Sequence, residues 1–190
     1  MFTRLLFRGA CAAALLAALS AMPAAAHPYD QYARGRSLFA TLFGSSTART
    51  LVSYPGNQKP GTIVISTAQR RLYLVLGNGQ ALSYAIAVGK AGYAWSGVSQ
   101  ITDKREWPDW TPPEQMLQRR PDLPHHMAGG PDNPMGARAI YLGASLYRIH
   151  GSNEPDKIGQ AVSSGCIRLT NEDVIDLYSR VRIGATVIVQ

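Results

Sequence analysis

From Gly61 onward the chain consists of short runs of β-branched and aromatic residues separated by glycine turns. T-I-V-I-S, R-L-Y-L-V-L and Q-A-L-S-Y-A-I-A-V-G follow one another, and Gly77–Gly79 joins the last two. Runs of this length and composition are typical of strands in a β-meander. Further strands are predicted at Ala139–Gly143, at Ser145–His150 and in the final run A-T-V-I-V-Q. The sequence therefore predicts a mainly β domain over residues 61–190.

One helix is predicted between the last two of these strands, in T-N-E-D-V-I-D-L-Y-S-R-V-R-I-G. Thr170 is a suitable N-cap with Asp173 three residues later, and Gly184 is the expected stop. Apolar residues recur at the spacing of one helix face: Val174, Leu177, Tyr178 and Val181. We expect this helix to pack on the sheet.

Residues 92–134 interrupt the strand pattern and hold seven of the 12 prolines and all three tryptophans. Unstructured segments of this length are uncommon in compact domains and are usually lids, binding loops or disorder. Disorder is disfavoured because such segments normally lack large apolar groups, whereas this one has Trp95, Trp107 and Trp110. We predict an ordered flap containing one short helix in T-P-P-E-Q-M-L-Q-R-R, capped by Thr111.

The first 26 residues have the pattern of a secretory signal peptide. Arg4 and Arg8 precede an apolar stretch, which ends in small residues of the A-x-A type before His27. The apolar run is too short to span a bilayer comfortably, so we expect cleavage after Ala26, export and no stable membrane span. Residues 27–60 are predicted to be an irregular or partly helical lead-in.

The cysteine content is informative because the chain has only Cys11 and Cys166. Removal of the signal leaves one thiol in a compartment where thiols tend to be oxidised, which favours either intermolecular pairing or reactivity. No metal site can be built from cysteine pairs. His125 and His126 are adjacent in the flap and lack the spacing of zinc ligands, so we expect them to line the flap or face solvent. No metal or cofactor is expected.

The charge balance is basic. The chain has 19 Lys and Arg against 12 Asp and Glu, and removing the two arginines of the signal leaves 17 minus 12, or +5. A basic exported protein suits an anionic envelope or an acidic substrate, although a well-solvated surface explains the charge equally well. No Lys/Arg run with interleaved aromatic residues occurs, so nucleic acid is not an expected partner.

The segment I-H-G-S-N-E-P-D-K-I-G-Q-A-V-S-S-G-C-I-R-L gathers His150, Cys166 and Arg168. A thiol is mostly protonated at neutral pH, so a nucleophilic cysteine needs a base, and a histidine at the end of a strand is suited to that role. In an extended segment Arg168 lies on the same side as Cys166 and offers a positive charge to a carboxylate. The competing interpretation is a buried small thiol and a histidine that satisfies a backbone group.

The residues before the cysteine are small. Ser163, Ser164 and Gly165 leave the backbone uncluttered, so its amide groups can approach a developing oxyanion.

I-H-G-S-N followed by S-S-G-C-I-R-L-T-N-E-D-V-I-D-L-Y resembles the active-site signature of the L,D-transpeptidases (YkuD-like domain), which remodel bacterial peptidoglycan. The resemblance extends from about Gly61 to the final strand and includes P-M-G-A-R-A-I-Y-L-G. It implies a mixed β-sandwich or barrel with one packed helix and a long flap. It also implies a location in the periplasm or cell envelope.

The resemblance implies roles for individual residues. Cys166 matches the nucleophile, His150 the general base, the carbonyl of Gly151 the group that orients the imidazole, and Arg168 an arginine that contacts substrate or shapes the site. Ser164 stands where many members have a second histidine, so any auxiliary role of that histidine cannot apply here.

Similar enzymes attack the amide between the third, diamino residue and the terminal D-alanine of a peptidoglycan stem tetrapeptide and form a thioester, which an amine then resolves. The acceptor amine is left open among a second stem, a lysine of an outer-membrane protein and a free D-amino acid. Two alternatives also stay open: a hydrolase of the same fold, and a wall-binding module without turnover. Papain-type peptidases place the cysteine before the histidine, and sortases place Cys and Arg on separate strands, so both fit less well.

Overall fold

The structure is a computed structural model that describes residues 48–190 of the chain. The predicted signal peptide and residues 27–47 of the predicted lead-in lie outside the described residues.

Within residues 48–190 most of the regular structure is β-strand. The strands are β1 Thr50–Ser53, β2 Ile63–Ser66, β3 Arg71–Gly77, β4 Gln80–Ala85, β5 Val88–Gly89, β6 Gly97–Glu106, β7 Arg138–Leu142, β8 Arg148–His150, β9 Ala161–Ser163, β10 Ile167–Arg168 and β11 Thr186–Val189. Nine of them form one sheet in the order β1-β4-β3-β2-β11-β6-β7-β8-β10, and β5 pairs with β9. The sheet is mixed because β2 and β11 are parallel, as are β8 and β10, whereas the other neighbours are antiparallel.

The sheet curls so that its end strand β10 approaches the segment that follows β4. The end strand β10 is bonded to Ala87, two residues beyond β4, through Ala87 N to Arg168 O (2.9 Å) and Arg168 N to Ala87 O (3.0 Å). The concave side holds a continuous apolar core that includes Ile63, Leu72 and Ile149, each fully buried. The predicted mixed sandwich or barrel is confirmed.

Two α-helices are present in the described region, α1 Glu114–Arg119 and α2 Asn171–Arg180, together with a 3-10 turn at Pro155–Lys157. The Thr170 hydroxyl accepts a hydrogen bond from the amide of Asp173 at 3.2 Å, which confirms the predicted cap of α2. The apolar face of α2 packs into the core through Val174 and Leu177, both fully buried. The helix ends at Arg180, before the predicted stop.

The predicted flap boundaries were wrong at the amino-terminal side. Residues 97–106 form β6, which lies in the sheet between β11 and β7. The strand was not predicted because its sequence is mostly polar. All seven prolines of the segment lie at or after position 108. The flap proper therefore runs from Trp107 to Ala137, between β6 and β7.

Two local predictions also fail. Thr111 does not cap α1, because the N-cap position is Pro113 and no side chain bonds to the helix start. The lead-in is not irregular throughout, because Thr50–Ser53 forms β1, an edge strand that pairs with β4. Within residues 48–190 no helix has the length and apolar character required to span a bilayer.

Candidate active site

The histidine is the last residue of β8, and the cysteine directly precedes the adjacent parallel strand β10. In the register of β8 and β10, Ile149 is opposite Ile167 and His150 is opposite Arg168. The amide of Leu169 donates to the carbonyl of His150 at 2.9 Å and extends this pairing. Cys166 immediately precedes β10, so the same register brings it level with Arg148, the residue two before His150.

Alternation along the strands places the reactive side chains on one face. Ile149, Ile167 and Leu169 are fully buried in the apolar core. Because successive side chains of a strand point to opposite faces, the residues between them face away from the core. Four polar side chains share that outer face: Arg148, His150, Cys166 and Arg168. We call this set the active-site face.

The imidazole of His150 is held in one orientation by the next residue. Its Nδ1 lies 2.6 Å from the carbonyl oxygen of Gly151, and the side chain is almost completely buried. A carbonyl oxygen can only accept, so Nδ1 carries the proton and donates. Nε2 then holds the lone pair of the neutral ring and is the nitrogen that can take up a proton.

Burial lowers the pKa of His150 to about 3, with a further lowering by the positive charges of Arg168 and Arg148. The backbone carbonyls of Gly151 and Met135 act in the opposite direction. Desolvation disfavours the charged imidazolium, so the ring is neutral at neutral pH.

The carbonyl of Gly151 is fixed by close packing against the end of the flap. A Cβ on Gly151 would lie 2.3 Å from Asn171 Oδ1, and a Cβ on Gly136 would lie 2.6 Å from the carbonyl carbon of Gly151. Asn171 Oδ1, in the first turn of α2, also accepts from the amide of Ala137 at 2.8 Å. Only glycines permit this approach, so the helix, the flap end and the histidine strand form one rigid support.

Ser163 spans the turn that precedes the cysteine. Its hydroxyl accepts from the amide of Gly165 at 3.1 Å and donates to the carbonyl of Cys166 at 2.6 Å, and its side chain is 1% exposed. This bridge, which we call the serine clamp, fixes the backbone on both sides of the turn. The Gly165 amide, which the sequence predicts near a developing oxyanion, donates to Ser163 in this structure. Ser164 is exposed.

An aromatic wall formed by Trp95 and Tyr147 stands behind the cysteine turn. The rings stack with centroids 4.5 Å apart and planes 7° from parallel, and Trp95 Nε1 donates to the carbonyl of Gly165 at 2.9 Å. Gly165 has φ of +111°, and a Cβ there would lie 2.6 Å from the Tyr147 ring. Both the conformation and the contact require glycine before the cysteine.

The thiol is half-buried at the edge of this wall. Cys166 Sγ lies 3.9 Å from the carbonyl oxygen of Leu146, whose own side chain is 71% exposed. Arg168 is mostly buried and its guanidinium lies 3.4 Å from a carboxylate oxygen of Glu154. The site is therefore bounded by an ion pair on one side and is open to solvent near Leu146.

The flap reaches the site through Tyr93. Arg119 of α1 bonds to the Tyr93 hydroxyl, and its guanidinium carbon lies 5.7 Å from the centre of that ring. The backbone carbonyl of Tyr93 in turn lies 3.4 Å from the position of a Cβ on Gly165. The flap helix thus contacts the residue that backs the cysteine turn.

The flap histidines lie apart from the active-site face. His125 and His126 are exposed, and His126 Nε2 is 3.5 Å from a carboxylate oxygen of Asp109. Among residues 48–190 no cluster of three or more His, Cys, Asp or Glu side chains is placed to hold a metal ion. An open cavity of about 830 Å³ lies elsewhere, beside Lys59, Arg182 and Thr186, and neither Cys166 nor His150 lines it.

A half-buried thiol and a neutral, oriented histidine on one face of a curled sheet are components that cysteine-dependent acyl-transfer enzymes and hydrolases use. The family is shown by comparison with known proteins. The chain belongs to the L,D-transpeptidase catalytic domain family, because the YkuD family model matches residues 60–189.

Three proteins that are similar to this chain are described next. The probable L,D-transpeptidase ErfK/SrfK of Escherichia coli K12 is 39% identical over 163 residues, which are 80% of this chain and 51% of that protein. The chain thus spans about half the length of this curated relative. A solved Brucella melitensis structure, described as a probable carnitine operon oxidoreductase, is 42% identical with a TM-score of 0.52 and covers 78% of this chain and 97% of that one.

L,D-transpeptidase 3 of Mycobacterium tuberculosis has a TM-score of 0.54 at 20% identity and covers 68% of this chain and 60% of that one. At that identity the likeness shows the fold alone. The oxidoreductase description is that of the Brucella protein.

Several residues that build the site were not predicted from the sequence. Trp95 was assigned to the flap without a partner, and Tyr147, Asn171 and Arg148 were not singled out. Tyr147 and Arg148 were placed on a strand ending at His150, and strand alternation alone would have put Arg148 on the face of that histidine. The Trp95–Tyr147 stack has no comparable local signal, because it joins two distant segments.

Proposed function

We propose that the chain is an exported L,D-transpeptidase that acts on peptidoglycan stem tetrapeptides through a thioester on Cys166 and transfers the acyl group to an amine. The observation that carries the proposal is the placement of Cys166 and His150 on one face of adjacent strands, with Nδ1 of the histidine tied to Gly151. This tie leaves Nε2 as the ring nitrogen that can accept the thiol proton.

In the first half-reaction the thiol proton passes to Nε2 of His150 while the sulfur attacks the carbonyl carbon of the third stem residue. The imidazole of His150 has a low pKa, so it accepts the proton as negative charge develops on sulfur and not before. Collapse of the tetrahedral intermediate breaks the C–N bond, and the imidazolium returns the proton to the departing D-alanine amine. The product is a thioester on Cys166.

The oxyanion of the tetrahedral intermediate needs donors that are fixed in advance. The amide of Gly165 is occupied by the serine clamp, so the amide of Cys166 is the donor we assign to this role. Arg168 contributes a fixed positive charge on the active-site face, although its ion pair with Glu154 partly neutralises that charge. The serine clamp serves this step by holding the Cys166 peptide unit in place.

In the second half-reaction an acceptor amine gives its proton to His150 and attacks the thioester carbonyl. The C–S bond breaks, and the imidazolium returns the proton to the Cys166 sulfur. A second stem, a lysine of an outer-membrane protein and a free D-amino acid are all amines that meet this chemical requirement. Hydrolysis of the same thioester is the competing fate, and the exposure of Leu146 and Ser164 beside the thiol favours access of water.

The proposal includes export, which rests on the signal-peptide pattern of residues 1–26. It places the mature protein in the periplasm or cell envelope, where peptidoglycan stems are found. The predicted partners are therefore stem peptides and an amine acceptor, with no metal or cofactor in the reaction.

The test is incubation of the purified mature protein with tetrapeptide muropeptides, followed by mass spectrometry of the products. Wild type and the exposed-site control Ser164→Ala are expected to release D-alanine and to form amine-linked or hydrolysed products. Cys166→Ala is expected to release none while it keeps the same melting temperature. Release of D-alanine by Cys166→Ala would refute the nucleophile, and a folded wild type that binds stems without turnover would instead indicate a wall-binding module.

A second readout uses a carbapenem, which acylates similar enzymes. One adduct per chain, mapped to Cys166, is expected in intact and peptide mass spectra. Absence of an adduct on folded wild-type protein would count against a reactive thiol at this position.

A further inference from the structure

Arg148 lies on the active-site face next to the nucleophile. It is opposite Tyr141 in the pairing of β7 with β8, and the register of β8 and β10 brings it level with Cys166. It is also two residues before His150, so both side chains project from the same side of β8. A guanidinium here is within reach of a substrate held at the thiol.

Arg148 differs from its neighbouring arginines in lacking an acidic partner. Arg168 is paired with Glu154 at 3.4 Å, and Arg105 is paired with Asp103 at 2.8 Å. Within residues 48–190 no carboxylate oxygen lies within ion-pair distance of Arg148. Its positive charge is therefore available to an external anion.

The guanidinium is nevertheless held in place. Its carbon lies 5.3 Å from the centre of the Tyr141 ring, which fixes the plane of the group through a cation–π contact. Arg148 Nε is buried and has no hydrogen-bond partner among the described residues. Because Nε is enclosed by protein, a ligand is met by the terminal nitrogens of the guanidinium, which have no acceptor among the described residues. A ligand that supplies an acceptor is therefore bound preferentially over one that does not.

We propose that Arg148 is a specificity-determining residue that binds a carboxylate of the donor stem next to the scissile amide. A planar guanidinium with several donors matches a carboxylate in a bidentate arrangement better than an ammonium does. The inference rests on the proposed transpeptidase function and adds a recognition element to it.

Two carboxylates of the donor meet the requirement. The terminal carboxylate of the departing residue is only two bonds from the scissile nitrogen, roughly 2.5 Å away. The other source is a carboxylate on the side chain of the third, diamino residue. Both carboxylates present the same chemistry to Arg148. Donors in which one or the other is converted to an amide show which of the two is recognised.

The experiment compares three synthetic tetrapeptide donors in a D-alanine or D-alaninamide release assay. One donor is fully acidic, one carries a terminal carboxamide, and one carries a carboxamide on the third side chain. Wild-type protein is expected to show a KM about 10- to 100-fold higher for the donor that lacks the recognised carboxylate, with kcat nearly unchanged. The amidated position that produces this effect identifies the source.

Arg148→Met and Arg148→Lys are tested with the same donors. Arg148→Met is expected to raise KM for the acidic donor by the same factor and to lose the preference between acid and amide. Arg148→Lys retains a positive charge near His150 but loses the planar fork, so it is expected to keep kcat and to recover only part of the preference. The matched control is Arg105→Lys, on the other side of Tyr141, which is expected to behave like wild type.

The possible outcomes distinguish failure of the carboxylate subsite from failure of the proposed transpeptidase function. If wild type processes all three donors with one KM, or if Arg148→Met keeps the wild-type preference, the carboxylate subsite is refuted while the transpeptidase function stands. If folded wild type releases nothing from any donor, the proposed function itself fails. If Arg148→Met does not fold, the donor comparison on wild type and Arg148→Lys still decides the question.

Discussion

The serine clamp gives the sharpest prediction about how the nucleophile is positioned. Ser163→Ala removes a hydroxyl that accepts from the Gly165 amide at 3.1 Å and donates to the Cys166 carbonyl at 2.6 Å. Leaving one buried backbone group unpaired costs about 1–3 kcal/mol. Gly165 is buried, whereas Cys166 is half-buried and its carbonyl can find water, so we expect a loss of about 2–3 kcal/mol.

The assay is thermal unfolding together with the rate of Cys166 acylation. In a domain of this size 1 kcal/mol shifts Tm by about 2–4 °C, so Ser163→Ala is expected to melt about 4–12 °C below wild type. Acylation is expected to slow by up to about 100-fold, because a displacement of about 1 Å at a nucleophile has an effect of that order.

Ser164→Ala is the matched control, since it removes a hydroxyl from the exposed neighbouring residue. It is expected to change stability by no more than about 0.5 kcal/mol. Ser163→Ala and Ser164→Ala with the same Tm and the same acylation rate would show that the clamp does not position the cysteine.

Three other predictions concern the surroundings of the site. Trp95→Phe keeps the ring stack but removes the donor to the Gly165 carbonyl, so acylation is expected to slow by about 3- to 10-fold in a rapid-mixing assay; an unchanged rate would contradict the role of that bond. Asn133→Ala deletes a 1%-exposed amide that bonds to four backbone groups of the flap, and denaturant unfolding should show a loss of about 2–4 kcal/mol. The exposed control Asn153→Ala should lose much less, and equal losses would argue against an ordered flap. The folded-state pKa of His150, about 3, lies below its unfolded value near 6.5, so its contribution to stability is present above pH 6.5 and is lost as the pH falls toward 3. Between pH 7 and 4.5 wild type should lose about 2.5 kcal/mol more than His150→Gln, and parallel stability curves for the two proteins would contradict a buried neutral imidazole.

Local sequence patterns predicted those parts of the fold that depend on neighbouring residues. The cap at Thr170 and the apolar face of α2, with Val174 and Leu177, were correct because capping and helical periodicity are set within a few residues. The strand that ends at His150 was correct for the same reason, although it begins at Arg148 and not at Ser145.

Features that depend on distant partners were not predicted. Strand β6 is polar and was assigned to the flap, because its place in the sheet is decided by pairing with β11 and β7, which lie far along the chain. The stack of Trp95 on Tyr147 is a second example, because the two rings come from segments far apart in the chain. A single sequence carries no record of such contacts.

The candidate site was predicted in part. The resemblance to the transpeptidase signature supplied Cys166, His150, Gly151 and Arg168, and the structure places the Gly151 carbonyl 2.6 Å from the imidazole. Their catalytic roles stay predictions. Arg148 was not anticipated, because the signature begins after it and its missing acidic partner is visible only in three dimensions.

The central claim is that Cys166 forms a thioester with the donor stem and releases its terminal residue. The direct measurement is rapid-quench intact mass spectrometry of the mature protein mixed with a tetrapeptide donor in the absence of an acceptor amine, followed by peptide mapping. We predict a transient mass increase equal to the donor less one D-alanine, located on Cys166 and absent from Cys166→Ala. D-alanine release without a covalent species on Cys166, or an adduct on another residue, would contradict it.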